Sequence, residues 1–353
     1  MKSALTVIAI VLLAAPAAIL AGGHNQRPVP LSSQRQAAAD KEQQDKQQAI
    51  EPQAGDQTIR LGTELVDVLF SVVDPNNHIV SDIKGDEVRV LEDGRPQQVF
   101  TFRREVNLPI NIAVLMDVSG SQEYTFPQEK MAAGYFLHSI IRTGKDSAAL
   151  LTFQDDVDLV QGLTSSLETI SRALDEIDYT QRMGPLTSRN QATALYDALY
   201  ITVDEVLGRE DIRTSPDDPI VRRAIILLTD GADNASNRSL QEAIDRAWRS
   251  GVIVYSIGIG DRFRFEGVRE DVLSKMSEET GGRAYFPHTS EELLQDFHQI
   301  ETELRSQYLL AYSPSNSARD GSFRKIEVRI AGRPGDRVIH RRGYYAPVEE
   351  VQK

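Results

Sequence analysis

Apolar positions after Pro109 follow the alternation expected of buried strands and amphipathic helices. Continuous apolar stretches within residues 110–116, 223–229 and 252–259 are typical of central strands that are covered on both faces. Further strands are predicted at residues 148–153 and 283–286, and helical periods occur at residues 127–141, 167–177, 192–207, 239–250, 270–280 and 291–304. This order predicts an α/β fold with a doubly wound, mostly parallel sheet.

The segments on either side of this region alternate apolar and polar positions, as half-buried strands do. Before it, residues 64–73 alternate, and residues 88–91 and 98–102 flank an Asp93-Gly94 turn, which is a strong hairpin signal. After it, the same texture returns at residues 308–313, 323–330 and 337–345. Because so few strands do not form a domain alone, we expect both flanks to combine into one β-sandwich.

The first 57 residues differ in composition from the rest. Lys2 precedes an apolar stretch at residues 4–20 that ends in small residues, which predicts a secretory signal over residues 1–21. An uncleaved anchor is the alternative, since ~17 apolar residues are at the lower limit for spanning a bilayer. Residues 22–57 are polar and rich in glutamine, which indicates a disordered linker. We expect a secreted or periplasmic protein, or one at the cell surface, without a membrane span after cleavage.

Composition and charge exclude several classes of function. The 353 residues include 41% hydrophobic and 26% charged residues, which is ordinary for a globular protein. The formal net charge of −13 repels phosphate backbones, so nucleic acid is not an expected partner. The chain contains no cysteine, which excludes disulfides, thiol catalysis and thiolate metal sites.

The candidate chemistry follows the strand predicted at residues 110–116. Asp117, Ser119 and Ser121 stand at alternate positions there, and a carboxylate with two hydroxyls suits a hard divalent cation such as magnesium. The turn lies where open parallel sheets bind ligands, beyond the carboxyl end of a strand. A polar turn that caps a helix is the alternative interpretation. Asp230, after another apolar strand, and Thr193 favour the metal site.

These residues resemble the von Willebrand factor type A family over residues 108–304. That family has a metal-ion-dependent adhesion site built from a DxSxS loop, a distant threonine and a distant aspartate. One departure is the segment at residues 190–192, Asn-Gln-Ala, where relatives often carry glycines. The resemblance implies a Rossmann-like fold and a site for Mg²⁺, or else Mn²⁺ or Ca²⁺, held by Asp117, Ser119, Ser121, Thr193 and Asp230.

The flanks resemble a narrower bacterial group, the acidobacterial proteins related to this family. The matching segments are Val66-Asp67-Val68, Leu91-Glu92-Asp93-Gly94 and Gly343-Tyr344-Tyr345-Ala346-Pro347. We accordingly divide the chain into an N-terminal β segment at residues 58–107, a von Willebrand A domain at 108–304 and a C-terminal β segment at 305–348 that packs with the first.

The resemblance implies an adhesion or binding protein that is not an enzyme. Its cation would take an Asp or Glu carboxylate from a partner protein, with the contact face expected around Ser121, Gln122, Glu123, Tyr124 and Arg189.

Two alternatives remain open, a metal-dependent hydrolase or phosphatase that uses Asp117 and a scaffold whose metal stabilises the loop. A phosphatase of the haloacid dehalogenase type needs a second aspartate where Ser119 stands. Asp155, Asp156 and Asp158 offer a second cation site or, as we interpret them, a solvated acidic loop.

Overall fold

The computed structural model describes residues 65–177, 192–208, 220–260 and 267–348. The predicted signal and linker, residues 1–57, lie outside these ranges. Within them, no helix is long and apolar enough to cross a membrane.

A six-stranded sheet forms the centre of the α/β region, and five of its strands are parallel to their neighbours. In chain order its strands are β5 (Ile110–Asp117), β6 (Ser147–Phe153), β7 (Val157–Thr164), β8 (Arg222–Thr229), β9 (Val252–Gly258) and β10 (Ala284–Tyr285). They lie in the order β10-β9-β8-β5-β6-β7 across the sheet. The predicted fold class is therefore confirmed, with β5 and β8 adjacent at its centre.

Helices cover both faces of this sheet, which is why its central strands are apolar at consecutive positions. The helices are α1 (Phe126–Ile140), α2 (Leu167–Glu176), α3 (Leu195–Ile201), α4 (Leu240–Ser250), α5 (Glu270–Thr280) and α6 (Ser290–Arg305), and a π-helical segment, Thr202–Leu207, extends α3. Val114 and Met116 of β5 pack in one core with α1, α2 and α6. Ala113 and Leu115, which point the other way, pack in a second core with α3, α4 and α5.

Helix ends follow local sequence signals. Helix α4 begins with a capping box, in which the Ser239 hydroxyl accepts from the Glu242 N–H and the Glu242 side chain accepts from the Ser239 N–H. It ends at Gly251, whose φ of 59° lies in the left-handed region that glycine adopts without strain. These signals fix the helix between the strands β8 and β9.

The flanking segments form two antiparallel four-stranded sheets, each with strands from both ends of the described chain. One has the order β13-β1-β11-β4 and the other β14-β12-β2-β3. The strands are β1 (Val66–Val73), β2 (Val88–Glu92), β3 (Arg95–Gln97), β4 (Val99–Glu105), β11 (Gln307–Tyr312), β12 (Phe323–Ile330), β13 (Arg337–His340) and β14 (Gly343–Tyr345). Val68 and Leu310 of one sheet and Val90 and Val328 of the other share one buried core, as in a β-sandwich.

The predicted hairpin is present, but its second strand differs from the prediction. Asp93 and Gly94 have φ values of 48° and 78°, as a tight turn requires. The strand that pairs with β2 is the three-residue β3, whereas β4 pairs with β11 in the other sheet. Phe102 of β4 stacks on Tyr308 of β11, with ring centroids 5.5 Å apart, which adds to the strand pairing.

One further prediction was wrong and another was right only in part. The strand expected at residues 337–345 is divided between the sheets, because β13 pairs with β1 and β14 pairs with β12. Asp155 and Asp156 lie in an exposed loop, as expected, but Asp158 lies on the exposed side of β7, an unpredicted strand that runs antiparallel to β6. No residue of β7 is fully buried, so its sequence lacks the apolar periodicity by which strands are recognised.

The chain passes from the sandwich to the α/β region and back through neighbouring strands. Strand β4 ends at Glu105 and β11 begins at Gln307, and these two residues are register partners. The guanidinium of Arg222, at the start of β8, donates to the carbonyl oxygens of Glu105 and Leu304. The α/β region is thus inserted between two adjacent strands of one sheet.

Candidate metal centre

The loop after β5 brings the first three predicted site residues together. Asp117 is fully buried at the end of the strand, and its Oδ1 accepts the Ser119 N–H at 2.8 Å. A short 3₁₀ turn, Gly120–Gln122, then places the Ser121 hydroxyl 3.0 Å from the Ser119 hydroxyl. Alternate positions of the sequence therefore present adjacent oxygen atoms at the carboxyl end of a central strand.

Asp230 lies at the carboxyl end of the neighbouring strand. Because β5 and β8 run parallel in register, with Met116 opposite Leu228, their ends meet at the same edge of the sheet. The Oδ1 of Asp230 accepts the Ala232 N–H at 2.9 Å, which fixes the carboxylate at the start of its loop. Its negative charge acts on Asp117.

Burial and this like charge make Asp117 harder to ionise. Burial raises the pKa of Asp117 to about 6, and the charge of Asp230 adds to the effect. Hydrogen bonds from Ser119 and Thr229 act in the opposite direction, since they stabilise the carboxylate. Two buried carboxylates that repel each other form a site whose charge a cation would balance.

Thr193 is fixed to the loop that follows Asp230. Its N–H donates to the Asn234 Oδ1 at 2.8 Å, and its carbonyl oxygen accepts the N–H groups of Asn234 and Ala235. Thr193 itself is 4% exposed. Residues 190–192, just before Thr193, are the segment that differs from the family pattern. Positions 190 and 191 of it lie outside the described residues.

The same loop also caps helix α3. The carboxylate of Asp233 accepts the Tyr196 N–H at 3.2 Å, and the Ser236 hydroxyl accepts the Asp197 N–H at 3.0 Å. These side chains satisfy N–H groups that the first turn of a helix leaves without partners. The helix that follows Thr193 is therefore positioned by residues from the loop after Asp230.

Thr229, which the sequence analysis missed, connects the two strand ends. Its hydroxyl donates to the Asp117 Oδ2 at 2.6 Å and accepts the Gly231 N–H at 3.1 Å. Both oxygens of Asp117 are consequently held by hydrogen bonds. The only signal in the sequence is the position of Thr229 directly before Asp230, at the end of an apolar strand.

A second group that the sequence analysis missed is Glu129, in the first turn of α1. It is fully buried, and neither of its carboxylate oxygens has a hydrogen-bond partner. Burial raises the pKa of Glu129 to about 8. The charges of Asp117 and Asp230 raise this pKa further, whereas the side chain of the neighbouring Thr125 lowers it. In the sequence, Glu129 is one acidic residue in an amphipathic helix and carries no distinguishing pattern.

The expected contact face is only partly exposed. Tyr124 is 71% exposed and Glu123 is also exposed, whereas Gln122 is completely buried and cannot meet a partner directly. Arg189 lies outside the described residues. Gln122 instead helps to position Ser121, since its Nε2 donates to the Ser121 hydroxyl at 3.3 Å.

The donor set fits a hard divalent cation. Its atoms are carboxylate and hydroxyl oxygens, which magnesium, manganese and calcium prefer over nitrogen and sulfur. Among the described residues, no group of three His, Asp or Glu side chains is arranged to hold a metal by itself. The buried, unpartnered oxygens of Glu129 lack a positive counterpart, and a cation nearby would supply one.

Comparison with known proteins identifies the family. The sequence profile of the von Willebrand factor type A domain matches residues 111–300, more than half of the chain. The chain belongs to the von Willebrand factor type A domain family. Domains of this family are typically binding modules that are not enzymes, and their adhesion sites bind a divalent cation. No curated protein matches the sequence.

Two solved structures are similar to part of this chain. Proximal thread matrix protein 1 of the mussel byssus, with a zinc-occupied MIDAS motif, is 21% identical with a TM-score of 0.47 over 59% of this chain and 49% of that chain. An aerotolerance-related membrane protein of Bacteroides fragilis is 16% identical with a TM-score of 0.41 over 55% and 99% of the two chains. This chain thus spans about half the length of the mussel protein.

Proposed function

We propose that this protein is an exported binding protein whose von Willebrand A domain uses a divalent cation to capture an acidic group on a partner protein. The proposed ligands are Asp117, Ser119, Ser121, Thr193 and Asp230. The observation that carries the proposal is the pairing of the Ser119 and Ser121 hydroxyls, 3.0 Å apart, beside the buried Asp117 carboxylate.

The charge and donor chemistry of the site support magnesium as the ion. Two carboxylates, Asp117 and Asp230, balance its double charge, and neutral hydroxyls complete part of an octahedral shell. A bound cation of this kind supplies an electrophilic position that an external carboxylate can take. The residues of the chain hold and orient the ion, while Tyr124 and Glu123 offer exposed surface beside it.

The hydrogen bonds of Asp117 argue against the hydrolase or phosphatase alternative. A nucleophilic carboxylate must reach its substrate, but Asp117 is fully buried and both its oxygens accept hydrogen bonds, from the Ser119 N–H and the Thr229 hydroxyl. Ser119 also occupies the position of the general acid, and a hydroxyl does not supply acid chemistry near neutral pH. We therefore favour binding over turnover.

The organisation of the rest of the chain belongs to the same proposal. Residues 1–21 direct export, residues 22–57 form a polar tether, and the β segments at 58–107 and 305–348 carry the von Willebrand A domain at 108–304. The sequence pattern supports the first two parts. The pairing of strands from both flanks in two sheets supports the last.

Calorimetric titration with Mg²⁺ and Mn²⁺ tests the metal site. The wild-type chain should bind one ion saturably, whereas Asp117→Ala and the double variant Ser119→Ala with Ser121→Ala should lose binding. Ser171→Ala, which removes a hydroxyl from the partly exposed helix α2, is the matched control and should bind as the wild type does. Unchanged titration of the double variant would contradict the assigned ligands.

A peptide experiment tests the captured group. An immobilised peptide with one exposed glutamate should retain the protein in Mg²⁺ and release it in EDTA, and the glutamine form of the peptide should not retain it. Retention that persists in EDTA would favour the scaffold alternative. Metal-dependent cleavage of phosphate esters by the wild type, absent from Asp117→Ala, would favour the enzyme.

A further inference from the structure

Glu129 differs from three fully buried carboxylates that lie away from the candidate metal centre. Glu92, Asp146 and Glu303 each lie within 4.0 Å of an arginine nitrogen, as buried charges usually do. Glu129 is buried to the same degree, yet neither of its oxygens has a hydrogen-bond partner. A buried polar group of this kind calls for a specific explanation, because removing a carboxyl group from water without replacing its hydrogen bonds is unfavourable.

Hydrogen bonds connect the start of α1 to the site hydroxyls. The Thr125 hydroxyl lies 3.2 Å from the Gln122 Oε1, and the other end of that amide, Nε2, donates to the Ser121 hydroxyl at 3.3 Å. The Glu129 backbone N–H donates to the Thr125 carbonyl oxygen at 3.1 Å, as in any first helical turn, so Glu129 is fixed one turn after these residues. Gln122 and Glu129 are both completely buried.

Electrostatics also connect Glu129 to the opposite side of the centre. Asp117 at the end of β5 and Asp230 at the end of β8 both act on Glu129 through their charges. Glu129 therefore lies within electrostatic range of both strand ends. The described residues around them provide no arginine or lysine contact to Glu129 that would offset its charge.

We propose that Glu129 is a further carboxylate of the metal centre, which accepts hydrogen bonds from the hydration shell of the bound cation and so favours a strongly hydrated ion. This inference rests on the proposed function. Magnesium keeps several water molecules when proteins bind it, whereas calcium exchanges them readily for protein oxygens. A carboxylate outside the direct ligands stabilises a hydrated ion and commonly contributes about 10- to 100-fold to metal affinity. The cation in turn explains why a carboxylate without a partner is buried in α1.

A structural role and a metal-directed role of Glu129 predict different effects of Glu129→Gln on cation affinity. The glutamine has nearly the same shape but carries no charge to bury. If Glu129 only fills space, the substitution leaves cation affinity unchanged. In either role the variant is more stable than the wild type in EDTA above about pH 8, where the wild-type carboxyl group is ionised and unpartnered. Only if Glu129 faces the ion does the variant also bind Mg²⁺ more weakly.

The experiment measures thermal unfolding of the full chain in EDTA and in Mg²⁺, together with calorimetric affinities for Mg²⁺ and Ca²⁺. We expect Glu129→Gln to unfold at a higher temperature than the wild type in EDTA above about pH 8, to lose at least about tenfold in Mg²⁺ affinity, and to show a reduced preference for Mg²⁺ over Ca²⁺. Asp296→Asn is the matched control, because the Asp296 carboxyl is also partly buried but interacts with Glu292 and Arg283. That control should keep the wild-type affinities.

Each outcome decides between the two ideas. Mg²⁺ affinity of Glu129→Gln within twofold of the wild type overturns the inference and leaves the proposed function standing. Failure of the wild type to bind any cation overturns both. If Glu129→Gln does not fold, Glu129→Asp takes its place: it retains the carboxylate and should retain the preference for Mg²⁺, and loss of that preference would refute the inference.

Discussion

The Thr229 hydroxyl lies 2.6 Å from the Asp117 Oδ2 and donates a hydrogen bond to it. Asp117 ends β5, Thr229 ends β8, and the same hydroxyl accepts the N–H of Gly231. One side chain therefore orients the first predicted ligand and the turn that carries Asp230. Mutation of a group that orients a metal ligand commonly lowers metal affinity by about 10- to 100-fold.

Substitution of Thr229 should weaken cation binding although Thr229 is not a proposed ligand. Thr229→Val keeps the shape of the side chain and removes the hydroxyl, so Asp117 loses the bond to Oδ2 and is free to rotate. We expect Mg²⁺ affinity to fall about 10- to 100-fold, measured by calorimetry. Thr152→Val, at a buried threonine of β6, is a comparison that should leave affinity unchanged. Equal effects of the two substitutions would contradict the orienting role of Thr229.

Cation binding should depend on pH because the site carboxylate must be ionised to bind. Burial and Asp230 raise the pKa of Asp117 to about 6, so below that pH a proton competes with the metal. Mg²⁺ affinity should fall by about tenfold for each pH unit below 6 if one proton is displaced. Titration between pH 5 and pH 8 measures this, and constant affinity over that range would be inconsistent with Asp117 as a ligand.

The stability of the metal-free protein should also depend on pH through Asp117, but it should fall as pH rises, whereas Mg²⁺ affinity should increase. A carboxyl whose folded pKa is raised binds more protons in the folded than in the unfolded state, so its contribution to stability falls as pH rises from about 4 to about 6. Asp117→Asn should lack this contribution. Unfolding in EDTA at pH 4.5 and pH 7, for wild type and variant, measures the difference, and identical pH dependence would count against the raised pKa.

Asn234 should affect the site through Thr193. Its Oδ1 accepts the Thr193 N–H at 2.8 Å, and Asn234→Ala removes that constraint while all five proposed ligands keep their side chains. We expect about a tenfold loss of Mg²⁺ affinity, with folding retained. Asn316→Ala is a suitable control, because the Asn316 Oδ1 likewise accepts a backbone N–H, that of Ala318, in a loop of the sandwich. Its affinity should equal that of the wild type.

Asp146 should contribute to stability rather than to metal binding. Although burial raises the pKa of Asp146, hydrogen bonds from Arg142 and Arg305 outweigh it and hold this pKa below its usual range. Such a group stabilises the fold above the unfolded pKa and loses this effect as pH falls towards the folded pKa. Asp146→Asn should cost about 3 kcal/mol at pH 7 in denaturant unfolding and leave Mg²⁺ affinity intact.

The control for Asp146 is an exposed ion pair. Glu168 pairs with Arg172 on helix α2, and both side chains are mostly exposed. Glu168→Gln should therefore change stability little. A comparable loss in both variants would mean that burial of Asp146 does not strengthen its ion pairs.

The sequence predicted the structure correctly where the pattern lies within a single element or turn. The apolar stretch of β5 and the spacing of Asp117, Ser119 and Ser121 predicted a strand end with clustered oxygens, because both follow from local geometry. The Asp93-Gly94 turn was predicted for the same reason. Prediction failed where segments far apart in the sequence determine which strands pair, as in the pairing of β4 with β11.

The two residues that the sequence analysis missed at the centre were missed for different reasons. Thr229 contacts Asp117 because β8 lies beside β5, a pairing that local spacing does not indicate. Glu129 is close in sequence to the loop, but its complete burial depends on how α1 packs, which no motif indicates. Edge strand β7 was missed because no position of it is fully buried. The spacing of apolar residues reflects which side chains are buried, so it does not reveal a strand that buries few of them.

The register pairing of Glu105 with Gln307 means that the α/β region enters and leaves at a single point of the sandwich. A hairpin turn of about two to five residues would suffice to join β4 directly to β11 and close an eight-stranded sandwich without the insertion. Trp248 of α4 also stacks on Phe323 of β12, so the inserted region packs on the sandwich as well as joining it. Because both junctions lie side by side in one sheet, a change in the length of the α/β region leaves the strand order of the sandwich unaltered.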